Sequence, residues 1–229
     1  MLNIAVFGAK GTIASALINA LQHTHTITAI CRHTDKLPSS YIAIEDYSEA
    51  NIIKACQYIN NDSLDAVIVA TGLLHNHQLQ PEKSIQEIRA ESFTKIMQAN
   101  CLTPLCILKH CLPKLKKDKF TLMATLSARV GSISDNRLGG WYSYRCSKAA
   151  LNMGLKNLAI EAQRNKQQTC VVGLHPGTVD SPLSAPYKKA SSQWQTPQES
   201  ASKLISVMQN LSMQDTGKVF DYNGAVIQP

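Results

Sequence analysis

Short apolar, β-branched runs alternate along this chain with longer amphipathic stretches. The apolar runs predict strands over Asn3–Phe7, 26–31, Tyr41–Ile44, 66–70, 120–126, 170–174 and 219–222. Apolar residues recurring three and four positions apart predict helices near 12–22, 48–60, 84–98, 101–116, 142–164 and 197–210. Strands alternating with helices form parallel sheets covered on both faces. The expectation is an α/β fold: a doubly wound parallel sheet of about seven strands in a single domain spanning 1–229. No internal repeat, low-complexity tract or interdomain linker interrupts the pattern. The longest irregular stretch, 180–197, is rich in Pro and Ser and follows a strand, where such folds often carry a loop over their ligand. It is expected to be a substrate lid, with Pro182, Leu183, Tyr187 and Trp194 forming an apolar wall.

At 229 residues the chain can bury one sizeable core, and 44% hydrophobic against 17% charged residues excludes a disordered polymer. No apolar run approaches the roughly 18 residues that span a bilayer. The first strand begins without the charged start and cleavage site of a signal peptide, so a cytoplasmic protein with no membrane partner is expected. Seven cysteines (Cys31, Cys56, Cys101, Cys106, Cys111, Cys146, Cys170) are odd in number and never form a CxxC pair. They are expected to be reduced and mostly buried, Cys146 included. The net charge of +7 comes from dispersed lysines, with one cluster (Lys114, Lys116, Lys117, Lys119) where a helix ends. A solvated surface explains that distribution better than a nucleic-acid site. His75 and His77 lack a third ligand, so they are expected in a loop beside a cleft rather than on a metal.

Three short segments carry the candidate chemistry. Gly8-Ala9-Lys10-Gly11-Thr12-Ile13-Ala14 follows the first strand and opens the first helix. Gly8 suits a tight turn, Gly11 allows close approach of a pyrophosphate, and the helix start offers N–H groups and a positive dipole end to an anion. Ala14 is small enough for close helix packing. The second strand ends Cys31-Arg32-His33, with no acid to hold a ribose 2′-hydroxyl. Arg32 and Lys10 instead suit a 2′-phosphate, so NADP(H) is favoured over NAD(H) on a Rossmann-type sheet. Further along, Tyr144 and Lys148 lie four residues apart and share one helix face. An ammonium beside a phenol stabilises phenolate, so the pair is a candidate proton donor with a lowered tyrosine pKa. His175-Pro176-Gly177-Thr178 follows a late strand.

With Ser127-Ala128-Arg129-Val130-Gly131-Ser132-Ile133, Gly139-Gly140-Trp141-Tyr142-Ser143-Tyr144-Arg145 and Ser147-Lys148-Ala149-Ala150-Leu151-Asn152 added, the chain resembles the short-chain dehydrogenase/reductase family over essentially its full length. The likeness is greatest to its C-factor-like and carbonyl-reductase branch. The resemblance implies that Tyr144 protonates a carbonyl oxygen as hydride arrives, and that Lys148 holds the nicotinamide ribose. It implies that Asn100 orders a relay water behind that lysine. It also implies cofactor contacts at Gly8, Gly11, Thr12, Ile13, Asp46 (adenine), Ala70-Thr71-Gly72 (adenosine half) and Pro176, Gly177, Thr178 and Val179 (carboxamide end). Pairing into a homodimer or homotetramer through the helices carrying Asn100 and Tyr144 is implied as well.

The chain departs from that family at one catalytic position. The serine expected three residues before Gly131 is Ala128. Ser127 is adjacent, but strand alternation turns it to the opposite face. Ser132 lies where the strand opens into a loop and is the candidate substitute. Two functions stay open on these grounds. One is NADPH-dependent reduction of a small-molecule ketone or aldehyde, or the reverse, and the other a catalytically weak nucleotide sensor or C-factor-like signalling protein.

Overall fold

The computed structural model describes residues 1–32, 41–187 and 194–229. Seven parallel strands form one sheet: β1 (Asn3–Phe7), β2 (Thr26–Arg32), β3 (Tyr41–Ile44), β4 (Ala66–Val69), β5 (Thr121–Leu126), β6 (Thr169–His175) and β7 (Val219–Asp221). Their spatial order is β3-β2-β1-β4-β5-β6-β7. The winding direction reverses between β1 and β4, so a crevice opens above their C-terminal ends, where open α/β sheets bind ligands.

Alternation along each strand feeds two cores. Ile4 and Val6 of β1 face one side, against Leu17, Ile18 and Leu21 of α1 (Thr12–Leu21) and Leu204 of α6 (Pro197–Gln209). Ala5 and Phe7 face the other. There they meet Ile52 of α2 (Glu49–Gln57), Ile107 and Leu108 of α4 (Thr103–Cys111), and Leu151 and Leu155 of α5 (Tyr142–Arg164). Full burial of each such side chain stabilises by roughly 1.5–3 kcal/mol, so both layers are held hydrophobically.

Two expectations need correction. The helices predicted at 84–98 and 101–116 begin later and are continuous: α3 (Ala90–Met97) runs through a π-turn (Gln98–Leu102) into α4. Pro104 has no N–H for the Asn100 carbonyl, and its ring would clash with that carbonyl in a regular α-helix. The turn widens instead, and the Thr103 N–H bonds to the Gln98 carbonyl five residues back. Cys146, expected in the core, is exposed, because the inward stripe of α5 runs through Ser147, Lys148, Leu151 and Leu155. All seven cysteines are free thiols.

The β5 exit is held against α5 by Gly131. A Cβ there would sit 2.9 Å from both the carbonyl carbon and the Cβ of Lys148, neither of which yields easily. Gly131→Ala is therefore expected to destabilise by about 1–3 kcal/mol, read as a lower urea midpoint at an unchanged m-value.

Candidate active site

A groove of about 780 Å³ runs across the crevice. Gly8, Lys10, Gly11, Arg32, Asp46, Ala70, Thr71 and Gly72 all line it. Gly8 has φ +81°, which a side chain rarely adopts, and a Cβ there would lie 2.9 Å from the Ala70 carbonyl. The turn is braced beneath: the Gly8 N–H is shared between the Ile30 carbonyl at 3.0 Å and the Tyr47 hydroxyl at 2.9 Å. Thr12 and Ile13 open α1, whose N-cap Gly11 supplies no side-chain cap and whose first turn holds no acid. Its free N–H groups and dipole therefore face the groove as an anion cradle. The Asp46 carboxylate accepts from the Ser48 N–H and the Asn51 amide, both at 2.8 Å, and so caps α2 from the groove wall; these bonds, the Ser48 ones foremost, lower its pKa. The Thr71 hydroxyl is buried without a partner among the described residues.

Asn100 sits in the π-turn, fully buried. Its Oδ1 accepts from the Leu73 N–H and its Nδ2 donates to the Leu73 carbonyl, both at 2.7 Å, with a further bond to the Ser147 hydroxyl at 3.1 Å. One amide thus ties the segment after β4 to α5.

Lys148 is buried and donates to the Leu126 carbonyl at 2.9 Å. Its Nζ lies 5.9 Å from the Tyr144 ring centroid. Desolvation lowers the lysine to about 8 and raises the Tyr144 phenol to about 12. The expected lowering of the phenol by its lysine is not seen in this arrangement, because burial outweighs an ammonium whose hydrogen bond goes elsewhere.

The serine question has a structural answer. Ala128 offers no hydroxyl, and Ser127 donates to Asn152 Oδ1 at 2.6 Å. Ser132 is buried and donates to the Gln228 carbonyl at 2.5 Å while accepting from the Asp135 N–H. Its one proton is held by the C-terminal tail, which corrects the expectation that it swings into the site.

Pro176, Gly177, Thr178 and Val179 follow β6, as expected, but outside the groove. Gly177 and Thr178 line a separate cavity of about 460 Å³ with Arg129 and His175. Gly177 has φ +80°, and Ser200 and Gln195 hold the segment through the Pro176 and Thr178 carbonyls. Of the lid, residues 188–193 lie outside the described residues. Its first part docks onto the 75–83 loop, with His75 Nε2 3.0 Å from the Leu183 carbonyl. No cluster of potential metal ligands occurs among the described residues. No helix among them is long and apolar enough to cross a membrane.

Two supporting residues carry no sequence signal. Tyr47 is one. Glu82 is the other: its buried carboxylate accepts from the Ser143 N–H at 3.1 Å and from the Ser143 hydroxyl, and its carbonyl accepts from the Trp141 N–H. It caps a helix whose own N-cap, Trp141, has a left-handed φ of +52° and no side-chain cap.

A model of the short chain dehydrogenase family matches residues 3–192. The chain belongs to this family. This short-chain dehydrogenase, an oxidoreductase, is 33% identical over 165 residues to the 1-hydroxy-2-glutathionyl-2-methyl-3-butene dehydrogenase of a Rhodococcus strain, covering 72% of this chain and 68% of that one. It is 31% identical over 128 residues to C-signal of Myxococcus xanthus, covering 56% and 73%. Its fold matches the carbonyl reductase Sniffer of D. melanogaster with a TM-score of 0.87 at 21% identity, covering all of both chains. An NADPH-bound carbonyl reductase from chicken fatty liver matches at 0.85 and 22% identity, over 100% and 99%.

A lysine titrating at about 8 when folded and near 10.5 when unfolded binds fewer protons folded across that window. Its burial penalty is in force below pH 8 and is relieved as pH rises toward 10.5. In urea melts of cofactor-free protein, the stability of Lys148→Met relative to wild type should fall by up to about 3 kcal/mol between pH 8 and 10.5. A pH-independent difference would refute the buried-ammonium description.

Proposed function

We propose that this dehydrogenase reduces a small-molecule ketone or aldehyde with NADPH, or runs the reverse oxidation, using Tyr144 as the acid. The observation that carries the reading is a built anion cradle whose wall glycine, Gly72, approaches the buried Lys148 on the helix that also bears Tyr144. The groove suits a dinucleotide: a free helix start, close-approach glycines, the unpartnered Thr71 hydroxyl, and Gly72 within 3.9 Å of Lys148 Nζ as judged from its Cβ position. Bound there, a reduced nicotinamide supplies the hydride.

The chain's own residues do the rest. Lys10 and Arg32 line the groove where a 2′-phosphate would need cations, and both lie among its polar walls. Asp46, on the groove wall, is assigned to the adenine, and the Pro176–Val179 segment, which follows β6 outside the groove, to the carboxamide. Tyr144 donates its phenolic proton to the carbonyl oxygen. A phenol held near 12 is a firmly protonated donor at neutral pH. Lys148 recovers part of its charge advantage when ribose hydroxyls replace the dry surroundings that depress it. Asn100 holds the lysine's helix in register through Ser147 and is assigned the ordering of a relay water. Exposed apolar side chains on the outer face of the π-turn and α5, Leu102, Met153 and Ile160, suit pairing with a second copy of the chain.

Tyr144→Phe is expected to lower NADPH-dependent turnover of any accepted carbonyl by about 10²–10⁴-fold with NADPH binding intact. Undiminished turnover would overturn the mechanism, and tight NADPH binding without turnover by the wild type would favour the sensor reading. Arg32→Ala should weaken NADPH about tenfold or more while leaving NADH unchanged, as measured by fluorescence titration. Met153→Glu should shift the protein to monomer in size-exclusion light scattering; an unchanged mass would place any interface elsewhere.

A further inference from the structure

A carbonyl reductase needs a hydrogen-bond donor for the substrate oxygen besides its proton donor, and the usual position is Ala128. Ser127 and Ser132 give their protons to Asn152 and Gln228. Three described hydroxyls are buried without a partner: Thr71 lines the groove, Thr125 lies within β5, and Tyr187 packs against Trp141. The Tyr187 Oη is buried yet has no hydrogen-bond partner among the described residues. Leaving such a group unsatisfied costs about 1–3 kcal/mol, so a structure that retains it points to a partner that arrives later.

The position of Tyr187 says which partner. It closes a short 3₁₀ turn, Ala185–Tyr187, in the first part of the lid. Its ring packs against Trp141 with centroids 4.9 Å apart and against His75 at 5.7 Å, edge-on. Trp141 in turn meets the Tyr144 ring at 6.1 Å. An unbroken run of aromatic contacts therefore links the lid to the acid. The run is fixed at both ends, by the His75–Leu183 hydrogen bond and by the Glu82 contacts to Trp141 and Ser143. Burial raises the Tyr187 pKa, which keeps its proton in place as a donor.

We propose that the Tyr187 hydroxyl hydrogen-bonds to the substrate carbonyl oxygen, taking the place of the serine absent at Ala128. It transfers no proton: hydride goes to the carbonyl carbon, the Tyr144 proton to the oxygen, and Tyr187 stabilises the charge that develops on that oxygen. The donor thus comes from the segment after β6 instead of from the β5 exit. This assignment rests on the reductase reading.

The test is a double-mutant cycle on Tyr187→Phe and Ala128→Ser, assayed by NADPH oxidation with aryl and aliphatic aldehydes and ketones, Tyr144→Phe alongside. Tyr187→Phe is expected to lower kcat about 10²-fold with NADPH affinity and melting temperature preserved. Adding Ala128→Ser to it should restore at least tenfold, since a serine at the β5 exit returns the missing donor. Alone, Ala128→Ser should add less than twofold, because the donor is already present. Wild-type rates in Tyr187→Phe, failure of the serine to rescue, or a tenfold gain from Ala128→Ser alone would each overturn the assignment. Those results leave the reductase reading standing so long as Tyr144→Phe is dead. A wild type that turns over no carbonyl overturns both.

Discussion

The amide of Asn100 is the fastening on which the site depends. Its two polar atoms grip both backbone groups of Leu73, and a third bond reaches Ser147 on α5. The strand exit that floors the groove, the π-turn and the helix bearing Tyr144 and Lys148 are thereby tied together. Because the amide is fully buried, each bond is made in a medium where the alternative is an unsatisfied polar group. The π-turn is part of the same device: Pro104 forbids a regular helix at this point, and the widened turn is where Asn100 sits.

Around that fastening the electrostatics come from desolvation, not from close ion pairs. Lys148 is pushed down and Tyr144 up because both leave water, and the lysine donates to a backbone carbonyl. A bound dinucleotide would bring hydroxyls and charge into this dry space, so the chemistry is set up by what arrives. Tyr47 serves the same end at the other pole of the groove, where it steadies the glycine turn from below.

The sheet was readable in the chain because each strand is apolar enough to be covered on both faces, and the ends agree within a residue or two. The glycine turn and the shared helix of Tyr144 and Lys148 were readable from local spacing, whereas Asn100 came only from the family resemblance. What failed to read depends on distant chain. Ser132 looked available until the C-terminal tail docked on it, and no spacing rule connects residue 132 with residue 228. Glu82 and Tyr47 act across the fold on backbone N–H groups, which have no residue identity to match. The continuous helix through 98–102 was hidden by Pro104 and by polar Asn100, both of which look like an interruption in a one-dimensional pattern.

The loop between β4 and α3 touches both the segment after β6 and the start of α5, which also meet directly through the Tyr187 and Trp141 rings. Through His75 it holds the Leu183 carbonyl of the lid, and seven residues later, through Glu82, it caps the first turn of α5. That turn starts from three successive left-handed residues, Gly139, Gly140 and Trp141, a conformation the tryptophan tolerates only while something external restrains it. The 180–187 segment and the start of α5 are consequently held by one stretch of chain. Loosening that stretch would loosen both contacts at once, so the helix start and the segment after β6 are secured by the same few residues.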